Sequence, residues 1–395
     1  MKEISILAAP VEQTLTDSRD RYSIGYNLIS ILAKEFGVKF HVITNVAKIQ
    51  ENLENVRIYE IRNNLDSLVK KKLILKYHYA KYAKEILRKE KISIIHQMTT
   101  FAYTTGFSFL PILHLTEDYP FIIGPAEARH LIFEDEYDIL STSHRSIKKL
   151  EYWAGKNLYP LATSYLFKKT LHDCDILIAV NNETKKLFSK YISAKKIRVI
   201  PIGIHSNDFP YSPPPNNHEI LVVGNLIKRK GHEYLIKAMS KFLKDFPDAM
   251  LHIVGDGPRR NYLEVLTKRL NLERNIIFHG FVSKEELLSL YKNCRVFCHP
   301  SLSEGFCHVT LEAMATGRPV VSTDNFGSKM VEHGKTGFLV PPGDSEAIAD
   351  AILKVLDDYE LTYNMGIKAR KKIEEEYDWH KVAEKYYGVY QEVIG

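Results

Sequence analysis

Short apolar runs rich in Ile, Val and Leu alternate along this chain with longer stretches whose apolar residues recur every three to four positions. The short runs predict buried strands and the longer stretches predict amphipathic helices. In the first half, strands are expected at 4–8, 39–44, 57–61, 93–96, 121–123, 176–180 and 197–200, with helices at 25–36, 65–91, 146–173 and 182–191. In the second half, strands are expected at 219–223, 250–254, 276–279, 295–299, 319–322 and 337–340. Helices fall at 231–245, 259–270, 283–293, 309–316, 328–333, 344–358 and 361–377. Regular strand–helix alternation predicts α/β domains, each a doubly wound, Rossmann-like parallel sheet with crossover helices. The alternation breaks at 206–217, SNDFPYSPPPNN, where three consecutive prolines exclude a helix or a central strand. That segment reads as a stiff linker between a domain at 1–205 and another at 218–377. A last helix is expected over 378–395, with Val382, Tyr386, Val389, Tyr390 and Val393 on one face.

Length agrees with this division, since 395 residues exceed one ordinary core. With 45% hydrophobic and 26% charged residues, the composition excludes a disordered chain. No apolar stretch reaches the roughly 18 residues of a membrane span. Met1-Lys2-Glu3 leads directly into the first strand, so no signal peptide is expected. Four cysteines, Cys174, Cys294, Cys298 and Cys307, do not make a disulfide scaffold, and a cytoplasmic protein is expected. A net charge of +6 is too small to mark a nucleic-acid binder. The excess is concentrated between Asp66 and Lys91, with nine Lys or Arg against three Asp or Glu and interleaved Leu and Tyr. This is either a helix with a solvated basic face or a surface that rests on an anionic membrane.

The candidate chemistry lies mainly in the second half. The strand at 295–299 runs into Pro300-Ser301-Leu302-Ser303-Glu304-Gly305-Phe306-Cys307 and then a helix that carries Glu312. Carboxylates at such an entrance accept hydrogen bonds from ligand hydroxyls, and the free N–H groups of Gly305, Phe306 and Cys307 suit an anion or a sugar edge. The strand at 219–223 is followed by Gly224-Asn225-Leu226-Ile227-Lys228-Arg229-Lys230-Gly231. A cation there can stabilise negative charge on a ligand. The strand at 250–254 ends in Gly255-Asp256-Gly257-Pro258, but Arg260 occupies the third glycine position of a dinucleotide fingerprint, so no nicotinamide site is expected. Cys294, Cys298, His299, Cys307 and His308 lack paired zinc-ligand spacing, and no metal site is expected.

The Glu-x7-Glu spacing of Glu304 and Glu312, within EGF…LEAMA-x-G-x-PVV, resembles the signature of the retaining glycosyltransferases of family 4. The resemblance implies the GT-B architecture: two Rossmann-like domains that face a cleft, with the C-terminal helix crossing back to the N-terminal domain. It implies that Glu304 holds donor-sugar hydroxyls, that Glu312 holds the ribose, and that the backbone of Gly305, Phe306 and Cys307 meets the sugar. Lys230 matches the family lysine that grips the diphosphate. The family's arginine is Asn225 here, and Lys228, Arg229 or Arg129 stand as candidates to replace it. Gly224, Gly255 and Val282 fall on donor-binding loops of the family pattern.

The N-terminal half resembles the family more loosely. Between Pro10 and Gly25 the glycine-rich loop is missing, and Arg19 and Arg21 stand in its place, facing an acceptor, the diphosphate or solvent. Phe121–His130 resembles a strand-end string of one subgroup, which makes His130 or His96 the candidate for the family's functional histidine. The residues assigned to catalysis are thus Glu304, Lys230 and His130. Glu312, Gly305, Phe306, Cys307, Gly224, Asn225, Arg229, Gly255 and Val282 are assigned to the donor, and Arg19, Arg129 and His96 to the acceptor side. The expected activity is transfer of a hexose from a nucleotide-diphosphate sugar to a sugar, glycan or lipid-linked hydroxyl, with no cofactor. A sugar-nucleotide epimerase and a non-catalytic nucleotide-sugar binder remain as alternatives.

Overall fold

A computed structural model describes residues 3–9, 14–16, 23–49, 51–61, 68–98, 101–102, 108–127 and 159–395. Among these, the chain separates into two compact units. One takes in the described residues of Met1–Ala128, His144–Gly203 and Trp379–Gly395, and the other Ile204–Asp378.

The first unit is a parallel sheet. Its strands are β1 (Ser5–Ala8), β3 (Lys39–Thr44), β5 (Val56–Glu60), β6 (Ile94–Gln97), β7 (Phe101–Ala102), β8 (Phe121–Glu127), β9 (Ile176–Ala179) and β10 (Ile197–Val199). Their order is β10-β9-β8-β6-β1-β3-β5, with β7 also on β8. β2 (Thr14–Thr16) and β4 (Val46–Lys48) form a separate parallel pair. These two strands and β7 are too short to leave a periodicity signal in the sequence. The central strands β1, β6 and β9 are buried along their whole length. Such two-sided burial requires apolar runs rather than alternation.

Helices α1 (Ile24–Phe36), α2 (Leu68–Lys89), α3 (Tyr159–Asp173) and α4 (Asn182–Phe188) belong to this unit. Gly37 ends α1 in the left-handed region, and its N–H bonds to the Leu32 carbonyl. The last helix of the chain, Trp379–Ile394, also packs here although it follows the second unit in sequence. It buries Trp379, Val382, Ala383, Tyr386, Val389 and Tyr390. Phe36 meets Tyr387 with ring centroids 4.7 Å apart, His380 pairs with Glu35 at 2.7 Å, and Arg198 pairs with Glu392.

His96 is corrected by this packing. It was expected on the acceptor side, but it is fully buried, with Nδ1 2.8 Å from the Tyr390 hydroxyl and its ring stacked on Tyr386 at 5.9 Å. Burial pushes its pKa down to about 3, so it is a neutral core residue. Residues 146–158 of the helix expected at 146–173, and the residues Arg19, Arg21, Arg129 and His130, lie outside the described residues.

The second unit has strands β11 (Glu219–Val223), β12 (Met250–Val254), β13 (Ile276–Gly280), β14 (Val296–His299), β15 (Val320–Thr323) and β16 (Gly337–Val340). They are all parallel, in the order β13-β12-β11-β14-β15-β16. The chain winds outward from β11 in one direction and then from β14 in the other. The connecting helices are α5 (His232–Phe242), α6 (Arg260–Arg269), α7 (Lys284–Asn293), α8 (His308–Ala315), α9 (Ser345–Asp357) and α10 (Tyr359–Lys372). Helix α5 buries Leu235, Ile236, Met239 and Phe242 in the same core as Ile348, Ile352, Val355 and Leu356 of α9. Side-chain caps fix several starts: Ser283 accepts from Glu286 N at 3.1 Å, and Asp344 from Ala347 N at 2.9 Å. Instead of the helix expected at 328–333 there is a short 3-10 turn, Phe326–Ser328, capped by Asn325.

Residues 206–217, expected as a linker, pack onto the second unit. Phe209 is buried, and the fully buried Arg318 donates to the Ser212 carbonyl and, at 2.9 Å, to that of Cys294. The prolines stiffen the segment without detaching it.

Truncating Trp379 removes the largest fully buried side chain at the start of the last helix. Trp379→Ala is expected to cost about 3–5 kcal/mol of stability, read as a lower denaturant midpoint. A loss below about 1 kcal/mol would show that this helix contributes little to the first unit.

Candidate functional site

Ligands of open parallel sheets bind outside the carboxyl ends of the strands, where the strand order reverses. In the second unit that point lies between β11 and β14. The two motifs singled out above leave the sheet here, one after β11 and the other after β14.

After β11 the chain forms a 3-10 turn, Lys228–Lys230, which Gly231 ends at φ 68° before α5 begins. The turn points Lys228 outward and Arg229 inward. The two loops are joined by their backbones: Leu302 N–H donates to the Arg229 carbonyl at 2.7 Å, and Ser301 Oγ lies 3.0 Å from the same oxygen. A Cβ on residue 231 would lie 2.0 Å from the Pro300 carbonyl oxygen, so this approach requires glycine.

Glu304 is the centre of the arrangement and is 5% exposed. Lys230 Nζ lies 2.6 Å from Oε1 and Arg229 Nη1 lies 2.7 Å from Oε2. Ser301 Oγ donates to Oε1 at 2.9 Å, and His299 Nε2 is 3.7 Å from the same oxygen. Arg229 also donates to the Ser303 carbonyl at 2.9 Å. Burial alone would raise the pKa of Glu304, but Lys230, His299 and Arg229 outweigh it and hold the carboxyl well below its usual range. Behind Glu304 sits Gly327, where a Cβ would stand 2.5 Å from the Glu304 Cβ.

Cys307 precedes α8. Its Sγ is 3.2 Å from His299 Nε2 and accepts a hydrogen bond from Thr310 Oγ1 at 3.0 Å. Glu312, within α8, is buried and accepts from the Tyr291 hydroxyl of α7 at 2.9 Å. Gly305 is buried, and Phe306 is half-buried with its ring 5.3 Å from that of His308. Gly224 donates to the Val254 carbonyl at 2.9 Å, and Gly255 to the Gly280 carbonyl at 2.7 Å, which ties together the ends of β11, β12 and β13. Asn225 is exposed on this rim, and Val282 is half-buried beyond β13.

The structure therefore gathers Lys230, Arg229, Glu304 and Cys307 at one point and places Gly224, Asn225 and Gly255 on the neighbouring loop ends. Of the candidates to replace the family arginine, Arg229 reaches Glu304 and Lys228 is exposed. Sequence reasoning missed Ser301, Gly327, Thr310 and Tyr291, and it considered His299 only as a metal ligand. The isolated glycine following β15 was the one available signal among these. No group of three or more His, Cys, Asp or Glu able to hold a metal ion occurs among the described residues.

Residues 205–372 match the family model for glycosyl transferases group 1. The match spans nearly the whole of the second unit, which is similar to the group 1 glycosyl transferases. An uncharacterized glycosyltransferase of Methanocaldococcus jannaschii is 39% identical over 173 residues, covering 44% of each chain. N-acetyl-alpha-D-glucosaminyl L-malate synthase of Bacillus anthracis is 32% identical over 180 residues, covering 45% of this chain and 46% of the relative. The chain thus spans less than half the length of these curated relatives. Among solved structures, sucrose-phosphate synthase from Thermosynechococcus elongatus superposes with a TM-score of 0.69 at 20% identity, over 99% of both chains. Anabaena HepE in complex with UDP gives 0.68 at 21% identity, over 98% of this chain and 100% of the other. At these identities the likeness is one of fold, the GT-B fold of glycosyltransferases.

Glu304→Gln leaves two cations facing a neutral amide. At neutral pH it is expected to cost about 3 kcal/mol of stability. A depressed carboxylate stabilises the fold above its unfolded pKa and loses that contribution as pH falls through the folded value. The gap between wild type and variant in chemical denaturation should therefore close in acid. A gap that stays constant on acidification would refute the buried ion pairs.

Proposed function

We propose that the protein is a retaining, family 4 glycosyltransferase that moves a hexose from a nucleotide-diphosphate sugar to a hydroxyl acceptor. The observation that carries this reading is the convergence of Lys230 and Arg229 on Glu304 at the switch point of a group 1 domain. UDP in a neighbour of the same fold agrees with a nucleotide-sugar donor. The second unit is the donor side and the first the acceptor side.

The chemistry follows from charge. As the glycosidic bond to the diphosphate breaks, negative charge grows on the leaving oxygens, and pre-placed cations in a dry site stabilise it without a proton donor. Lys230 and Arg229 supply those cations. A carboxylate offers about four acceptor positions. When Lys230 turns towards the diphosphate, Glu304 regains acceptor capacity for donor-sugar hydroxyls, and Arg229 and Ser301 hold it in place. Donor binding and sugar orientation are coupled in this way. Glu312 holds the ribose, and the backbone N–H groups of Gly305, Phe306 and Cys307 meet the sugar edge. The acceptor hydroxyl attacks on the face from which the diphosphate leaves and passes its proton to the departing phosphate oxygen, so the anomeric configuration is retained. The reaction needs no protein nucleophile, metal or cofactor.

The acceptor class extends to lipid-linked sugars, and the protein is cytoplasmic, with helix α2 resting on the membrane. Within this helix Tyr79, Ala80, Ala83 and Ile86 are buried, whereas Lys81, Lys84, Arg88 and Lys89 are exposed beside Tyr77 and Tyr82. Basic residues with aromatic neighbours suit an anionic headgroup layer. No helix among the described residues is long and apolar enough to cross a membrane.

Thermal-shift titration with a panel of nucleotide-diphosphate sugars should identify a donor. Turnover with sugar and lipid-linked acceptors should then give a product of unchanged anomeric configuration by NMR. Lys230→Ala should lower turnover roughly 100-fold, whereas Asn225→Ala changes it little. Equal small effects of the two would remove Lys230 from its role. Interconversion of the free donor without an acceptor would favour an epimerase, and binding without turnover a non-catalytic receptor. Vesicles containing anionic lipid should retain the protein at low salt and release it at high salt. Retention that is indifferent to salt, or no retention, would exclude an electrostatic dock.

A further inference from the structure

Behind Glu304 lies a second buried pair whose side chains the donor-site reading leaves unused. His299 closes β14 and is 1% exposed, and Cys307, just before α8, is 3% exposed. The loop between them turns back so that Cys307 Sγ lies 3.2 Å from His299 Nε2, the ring nitrogen that stands 3.7 Å from Glu304 Oε1. One imidazole N–H position is thus held between a sulfur and a carboxylate oxygen. Thr310 Oγ1 donates to the sulfur at 3.0 Å, a contact that favours an ionised thiol.

We propose that Cys307 and His299 are positioning residues for Glu304: the thiol, as thiolate, holds the imidazole in its cationic form, and its positive edge fixes the carboxylate that faces the donor sugar. This inference rests on the glycosyltransferase reading for the identity of that sugar, but the pair itself is independent of it. Burial alone would raise the pKa of Cys307, yet His299 and Lys230 bring it below the usual thiol value. Burial alone would lower that of His299, yet Cys307 and Glu304 raise it to about 9. The other groups that act on the imidazole are Lys230, which opposes its charge, and His232 at the start of α5, which burial pushes down to about 3 and leaves neutral. Three cations, Arg229, Lys230 and His299, then face two anions, Glu304 and Cys307. The thiolate–imidazolium pair adds no net charge. It stiffens Glu304 without weakening the attraction of the site for a diphosphate.

The other cysteines make the pair measurable. Burial pushes Cys174 and Cys294 up to about 12, and Cys298 upward as well, so all three remain thiols at neutral pH. The ultraviolet thiolate absorbance of the ligand-free full chain at neutral pH should therefore come from Cys307. It should vanish in Cys307→Ser, and His299→Gln should shift its titration to a proton concentration at least roughly tenfold lower. In transfer assays, Cys307→Ser removes the charge that raises His299, so the alkaline limb of the kcat/KM profile should move to lower pH. A merely space-filling thiol would lower stability without moving that limb. Absence of thiolate signal in the wild type, a titration indifferent to His299→Gln, or superimposable pH profiles would each overturn the proposal. A thiolate that answers to His299 in a protein that transfers no sugar would overturn the glycosyltransferase reading and leave the pair standing. Transfer by a protein with an unresponsive thiol would do the reverse.

Discussion

The site of the second unit depends on keeping one buried carboxylate charged. Removing an ionised carboxylate from water costs several kcal/mol unless partners surround it. Glu304 has those partners because the loops after β11 and β14 lie against each other, backbone to backbone, through Arg229 and Leu302. The approach in turn requires a residue without a Cβ at 231, and the space behind Glu304 requires another at 327. A chain that lost either glycine would have to separate the loops or displace the acid, and two cations would be left facing the gap. The local backbone and the buried charge are therefore one constraint.

The sheet provides the place where that constraint can be met. Parallel strands align their peptide ends, and the reversal of winding between β11 and β14 leaves a crevice that no crossover helix covers. Residues 75 positions apart, Arg229 and Glu304, meet there because their strands are neighbours in the sheet. The apolar strands and the α5–α9 core hold this geometry from below. Packing decides where the loops begin, and electrostatics decides what they carry.

The same division explains what could be read in the sequence. The central strands and the helices of the second unit follow from apolar runs and helical periodicity, because both faces of the sheet are covered. Glu304, Glu312 and Lys230 stood out because their spacing is shared with a known family. Ser301 and Tyr291 did not, because a serine or a tyrosine acquires its role only when a distant acid arrives beside it. The proline segment misled because three prolines specify a stiff path and say nothing about attachment. Arg318 and the ring of Tyr211 against Gly317 decide that attachment, and both depend on tertiary contacts.

The two buried histidines at strand ends show why residue type alone was insufficient. His96 and His299 each lie near the carboxyl end of a parallel strand, and both are almost fully buried. Sequence reasoning named His96, beside His130, as a candidate for function and considered His299 only as a metal ligand. Burial by itself drives both towards the neutral form. His96 meets the hydroxyl of Tyr390 and the ring of Tyr386, neither of which offers negative charge, so burial prevails and the residue belongs to the core. His299 meets a thiol and a carboxylate, and these reverse the outcome. Burial is the same in the two cases, so the sign of the shift is set by the charge of the neighbours. Those neighbours, Cys307 and Glu304, lie within the very string that marks the donor site. Histidine at the end of β14 thus acquires its charge from the same loop that carries the chemistry.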